Sequence, residues 1–136
     1  MNWKEEAEEK LRRYDAVSCA VKNLKAEIKQ LEGEVAKLRR GKDPNWQDLL
    51  LTNQVRQREL KANLRRTGCW LGNVDRALGA LNPEEKLVLY RMYVNPQRGK
   101  LAQLCGDLNV EQSSVYRRRD KALQKFTFAL YGIGEN

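Results

Sequence analysis

Leu101–Phe126, LAQLCGDLNVEQSSVYRRRDKALQKF, is the stretch on which the fold turns. Leu101, Leu104, Cys105 and Leu108 recur at steps of three and four, the period of one helix face. Asn109 and Val110 interrupt it. Val115, Ala122 and Phe126 then resume a helical face. A helix-turn-helix asks for this layout: an apolar residue and then a small one inside the first helix (Leu104, Cys105), and a turn residue tolerant of positive φ (Asn109). It also asks for an apolar anchor after the turn (Val110) and a β-branched inner residue in the second helix (Val115). Glycine is the usual turn residue, and asparagine is the next best for a left-handed conformation.

The same frame fixes what points outward. With Val115, Ala122 and Phe126 inside, Gln112, Ser113, Tyr116 and Arg117 face away from the core. Glutamine can make a bidentate contact to adenine and arginine to guanine, and Ser113 and Tyr116 can serve bases or phosphates. These four are the candidate base-contacting residues. Gln112–Phe126 holds five Lys/Arg against one Asp, a local net charge of +4. Arg118, Arg119 and Lys121 are the candidate phosphate contacts on that helix. Arg98 and Lys100 are two more, just before the preceding helix. The run of three arginines identifies nothing by itself, because such runs are usually solvated.

Upstream lies NPEE, Asn82–Glu85, the clearest helix start in the chain. Asn82 can cap, Pro83 suits the first helical position, and Glu85 completes a capping box. That helix is predicted to run through Leu87, Leu89, Tyr90 and Tyr93 and to stop before NPQRG. A short amphipathic segment precedes it, with Trp70, Leu71, Val74, Leu78 and Leu81 apolar. No strand pattern occurs, so the fold class is all-α.

Further out, Tyr14, Val17, Val21, Leu24, Ile28, Leu31, Val35 and Leu38 alternate steps of three and four without a miss. That is a heptad seam, and it belongs to a helix packed along its length. Trp3 and Ala7 extend the register backwards, with Lys10 as an interruption. GKDP, Gly41–Pro44, is a break of hairpin length. A second helix is expected to start near Asn45, with Asp48 as a capping acid, and to carry an apolar stripe of Trp46, Leu49, Leu50, Val55, Leu60 and Leu64, diluted by Asn53 and Gln57. Thr67-Gly68 is its expected stop. The preferred reading is an antiparallel hairpin of Trp3–Arg40 with Trp46–Arg66. A homodimer through the coiled coil stays open. Two domains follow: a coiled-coil hairpin at residues 1–68, for oligomerisation or docking, and a helix-turn-helix domain at residues 69–136.

The composition bounds the chemistry. Across 136 residues there are 26 Lys+Arg, 18 Asp+Glu and no histidine, for a net charge of +8. An anionic partner is favoured, nucleic acid before a membrane surface. Without histidine the chain lacks the usual neutral-pH base, the usual partner of a nucleophile and the commonest metal ligand. Neither a GxxxxGK[ST] loop nor a GxGxxG occurs. Cys19, Cys69 and Cys105 are scattered, with no CxxC pair, as reduced thiols would be. No enzyme activity, metal or cofactor is expected. No run of about 18 apolar residues occurs, and the N-terminus MNWKEEAEEK lacks an apolar signal core. A cytoplasmic protein is therefore expected.

LNPEEKLVLYRMYV, followed by LAQLCGDLNVEQSSVYRRRDKALQKF, resembles region four of bacterial sigma factors. It resembles still more the sigma-like regulators of phages and prophages, the ArpU/RinA group of late-gene activators. The shared marks are the L-x-P-x-E opening, an aromatic ending the first helix, the S-x-V-Y-R of Ser113–Arg117, and Ala122-Leu123. The resemblance covers about residues 81–132 well and the first 80 only in character. Asn109 replaces the usual glycine, Cys105 the usual alanine, and Arg118 a residue that is often apolar. The resemblance implies a regulator of double-stranded DNA transcription in the cytoplasm of a bacterial host cell, with RNA polymerase as a partner. Two alternatives stand beside it. One is a DNA-packaging recognition subunit resembling small terminase subunits. The other is a coiled-coil assembly or adaptor protein without nucleic acid.

Overall fold

The computed structural model describes residues 2–133. Met1 and residues 134–136, the outer ends of the two expected domains, lie outside the described residues. The described chain is all-α. Its helices are α1 (Trp3–Arg40), α2 (Trp46–Gly79), α3 (Pro83–Leu89), α4 (Lys100–Leu108) and α5 (Gln112–Tyr131). A π-helical turn, Tyr90–Val94, continues α3 and closes with a bond from the Asn95 N–H to the Tyr90 carbonyl at 2.8 Å. The chain divides into two compact units, one of residues 17–70 and one of residues 1–16 with 71–136. This differs from the division at residue 68 read from the sequence.

Residues 17–70 form the hairpin. The Asn53 amide donates to the Leu31 carbonyl at 3.0 Å, and Arg56 pairs with Glu27 at 3.1 Å. A step forward on one helix meets a step back on the other, so the helices are antiparallel. The heptad seam of α1 is thus covered by the chain's own α2. Val21 and Ile28 are buried, and Leu24, Leu31, Val35 and Leu38 half-buried. The turn is residues 41–45, where Asp43 accepts from the Asn45 N–H at 2.8 Å.

The stripe of α2 differs from its expected course. Asn53 is only 6% exposed, while Trp46, Leu49 and Val55 are 36%, 43% and 43% exposed. The inward series in this unit is Leu50, Asn53, Gln57, Leu60, Leu64 and Thr67, at unbroken steps of three and four. Two amides hold core positions because they satisfy each other: Gln57 donates to Asn53 Oδ1 at 2.7 Å while Asn53 donates to Leu31. A buried polar group with its partners in place is tolerated, and it fixes register where apolar residues would slide.

The stop predicted at Thr67-Gly68 is absent, and α2 continues to Gly79. A glycine inside a helix costs only about 1 kcal/mol relative to alanine. Here the three–four series passes through it without a break, to Leu71, Val74 and Leu78. Burial of that series outweighs the glycine.

In the other unit, α3, α4 and α5 share a core of Val88, Leu104 and Val115, all fully buried. Leu87, Met92, Leu101, Cys105, Leu108 and Val110 pack around it. Val74, Leu89, Leu123 and Phe126 are fully buried as well, and so are Ala7 and Leu11 of α1. The start of α1 belongs to this unit. Trp3 packs on Tyr131 with ring centroids 4.9 Å apart, and the Tyr131 hydroxyl donates to Glu6 at 3.1 Å. The Tyr93 hydroxyl donates to Glu8 at 3.4 Å. Tyr14 donates to Asp75, and this bond, with partial burial, pushes its phenol up to about 12. The backward register through Trp3 and Ala7 holds, carried past Lys10 by Leu11.

Candidate nucleic-acid interface

The geometry of α5 starts at the turn before it. Asn109 ends α4 with φ 53° and ψ 51°, the single non-glycine residue with positive φ among those described. Asparagine enters this region more easily than other side chains. Val110 follows, with its N–H on the Cys105 carbonyl at 3.1 Å, and its side chain packs on the shared core. Three residues, 109–111, thus reverse the chain between α4 and α5. The cap of α5 is Glu111, whose side chain makes no capping bond.

Val115, Ala122, Leu123, Phe126 and Thr127 are the buried face of α5. The Thr127 hydroxyl is satisfied by the Leu123 carbonyl at 2.6 Å. Gln112, Ser113, Tyr116 and Arg117, the expected base-contacting residues, are all exposed. They divide into two strips. Ser113 and Arg117 start a line that continues through Lys121, Gln124 and Phe128, at steps of four and three. Gln112 and Tyr116 lie beside it, with the Gln112 amide 3.5 Å from the Tyr116 hydroxyl. Gln124 was not singled out in the sequence. Its place on the outward line could have been read from the spacing alone.

The five expected phosphate contacts fall into two groups. Arg98 is exposed in the loop before α4, Lys100 is half-exposed at the first position of α4, and Lys121 is exposed on α5. Among the described residues none of these three forms an ion pair within 4.0 Å. Arg118 and Arg119 do. Arg118 pairs with Glu84 and donates from Nε to the Ser114 hydroxyl at 3.1 Å. Arg119 pairs with Asp120 at 2.9 Å and stacks over the Tyr116 ring at 5.0 Å. Lys125 is held by Glu85 at 2.9 Å. The cations of α5 without an ion pair within 4.0 Å are therefore Arg117 and Lys121, and Lys121 still acts on Glu85 at longer range.

The acids that sort the arginines sit at the start of α3. Asn82 and Glu85 form the predicted capping box: the Glu85 N–H donates to Asn82 at 2.8 Å, and the Asn82 N–H donates to Glu85 at 3.0 Å. The second oxygen of Glu85 holds Lys125. Burial acts upward on the Glu85 carboxyl, but the Asn82 N–H and the Lys125 ammonium outweigh it and hold the group below its ordinary value. Arg117, Arg118, Lys121, Ser114, Glu84 and Glu85 line one cleft between α3 and α5. Sequence reasoning saw NPEE as a helix start only. Its second role depends on α3 lying along α5, which no local pattern announces.

Cys19, Cys69 and Cys105 are free thiols. Among the described residues no group of His, Cys, Asp or Glu could hold a metal ion, and no helix is long and apolar enough to cross a membrane. No protein-family model, curated protein or solved structure matches the chain.

Proposed function

We propose that the chain is a sequence-specific regulator of transcription that binds double-stranded DNA by laying α5 in the major groove. The carrying observation is the first two turns of α5. Ser113 and Arg117 are exposed on its outward line, Gln112 and Tyr116 are exposed beside it, and Val115 anchors the helix in a core shared with α3 and α4. A recognition helix needs polar side chains free to reach base edges, on a backbone that does not shift when they do. The pairing of Arg118 and Arg119 within the protein leaves Arg117 as the arginine of the run suited to bases. The resemblance of residues 81–132 to sigma-like phage regulators supports the same reading.

The test is selection of bound fragments from the source genome, followed by substitution. Arg117→Ala is expected to weaken the selected site by about 1–3 kcal/mol and to relax base preference at one position. Equal loss on selected and random duplexes would remove Arg117 from base reading. Absence of duplex binding at low salt, where phosphate contacts are strongest, would sink the proposal altogether.

A further inference from the structure

Most of the net charge of this protein lies outside the unit that contains α5. Residues 17–70 hold 12 Lys/Arg against 6 Asp/Glu, a net of +6. The other unit, with α5 in it, holds 14 against 12, a net of +2. The difference in pairing is sharper still. In the α5 unit, Arg12, Arg91, Arg118, Arg119 and Lys125 each have a carboxylate within 4.0 Å. In the hairpin, among the described residues, Arg56 alone does.

Exposed unpaired cations lie on both helices of the hairpin, Lys22, Lys25 and Lys29 on α1 among them, but one run on α2 also lines a depression. Arg58, Lys61 and Arg65 follow one flank of α2 at steps of three and four, all exposed, and line a single shallow depression with Gln54 and Gln57. Their spacing covers about 10 Å of helix axis at the usual rise, the length of about three phosphates of one DNA strand. Packing does not require them, since the inward face of α2 is Leu50, Asn53, Gln57, Leu60 and Leu64.

We infer that this flank, Arg58, Lys61 and Arg65 on α2, is a second DNA contact surface that grips backbone phosphates without reading bases. The choice of DNA as the occupant rests on the function proposed for α5. The lining of the depression, in contrast to the exposed Leu51 and Val55 nearer the start of α2, disfavours a lipid surface. A helix that lies in a membrane interface pairs its cations with a broad apolar face, whereas the neighbours in this depression are Gln54 and Gln57, which donate and accept hydrogen bonds. Such a surface supplies affinity and leaves sequence choice to α5.

The experiment uses the full chain and the triple variant R58Q/K61Q/R65Q, with Arg117→Ala in parallel. Binding to a random-sequence duplex and to the selected duplex is followed by fluorescence anisotropy between about 50 and 200 mM salt. The triple variant is expected to flatten the log K against log salt slope by about two to three units on both duplexes. It should keep the wild-type preference between them and the wild-type helicity and melting. Arg117→Ala should do the reverse, losing preference with little change of slope on random DNA. A triple variant with the wild-type slope and affinity overturns the hairpin surface and leaves the α5 reading standing. An Arg117→Ala variant with unchanged preference, beside a flattened slope in the triple variant, overturns base reading by Arg117 and leaves the hairpin surface standing. Wild-type protein that binds phosphatidylserine vesicles but no duplex overturns both.

Discussion

Asn109 shows how much one residue can decide. It holds positive φ at the junction of α4 and α5, so every direction taken by α5 depends on it. Most L residues in the left-handed region cost about 1–2 kcal/mol, and asparagine reduces that strain without abolishing it. Asn109→Ala is expected to lower unfolding free energy by about 1 kcal/mol, and Asn109→Gly to leave it unchanged or raise it. Urea unfolding of the two variants checks this, and equal destabilisation by both would assign the residue's value to its side-chain amide instead. Asn109 was legible in the sequence as the turn, because its chemistry is local. Asn53 and Gln57 were legible as polar dilutions of the α2 stripe, but not as satisfied members of the core. An amide is read as exposed until a partner is known, and the partner of Asn53 is a carbonyl 22 positions away.

At the scale of elements, α3 does two jobs with one short motif. Its capping box starts the helix cleanly, and Glu84 and Glu85 also hold Arg118 and Lys125. The pH dependence follows from Glu85. A carboxyl held below its ordinary value adds stability that is complete above about 4.5 and is lost as pH falls through its lower folded value. Thermal melts are expected to drop below about pH 4.5, and Glu85→Gln should remove part of that drop. Glutamine still accepts the Asn82 N–H but forms no ion pair with Lys125. A Glu85→Gln variant with the full wild-type acid dependence would place the sensitive carboxyl elsewhere. The expected end of α2 failed at the same scale. Thr67-Gly68 carries a sound local stop signal, yet an uninterrupted inward series, half-buried to buried, overrides it, as tertiary packing commonly overrides propensity.

For the whole molecule, the grouping of residues 1–16 with 71–136 is the main departure from the sequence reading. Ala7 and Leu11 are fully buried there, and Trp3, Glu6 and Glu8 meet Tyr131 and Tyr93. A fragment of residues 69–136 would expose the surfaces that these residues cover. It is expected to lack a cooperative melt by circular dichroism, while the full chain keeps one. A fragment that melts cooperatively at the full-chain midpoint would show that the first turns of α1 add nothing to this unit. The distribution of charge belongs to this scale too. A net of +8 is plain from composition, but that +6 of it lies on a hairpin with one carboxylate-paired cation emerges only when the units and ion pairs are known.

By itself the sequence determined the helical class, the seam of α1, the capping box of α3 and the α4–turn–α5 frame. Each is encoded within a few turns, through periodicity or the preference of a cap or turn residue. Only the tertiary structure decided which carboxylates neutralise Arg118, Arg119 and Lys125, which amides enter the hairpin core, where α2 ends, and that the start of α1 packs with α5. These depend mostly on pairs separated by 22 to 125 positions, apart from the Arg119–Asp120 and Gln57–Asn53 pairs. For such pairs, burial and partner geometry set the energy, and local preference contributes little.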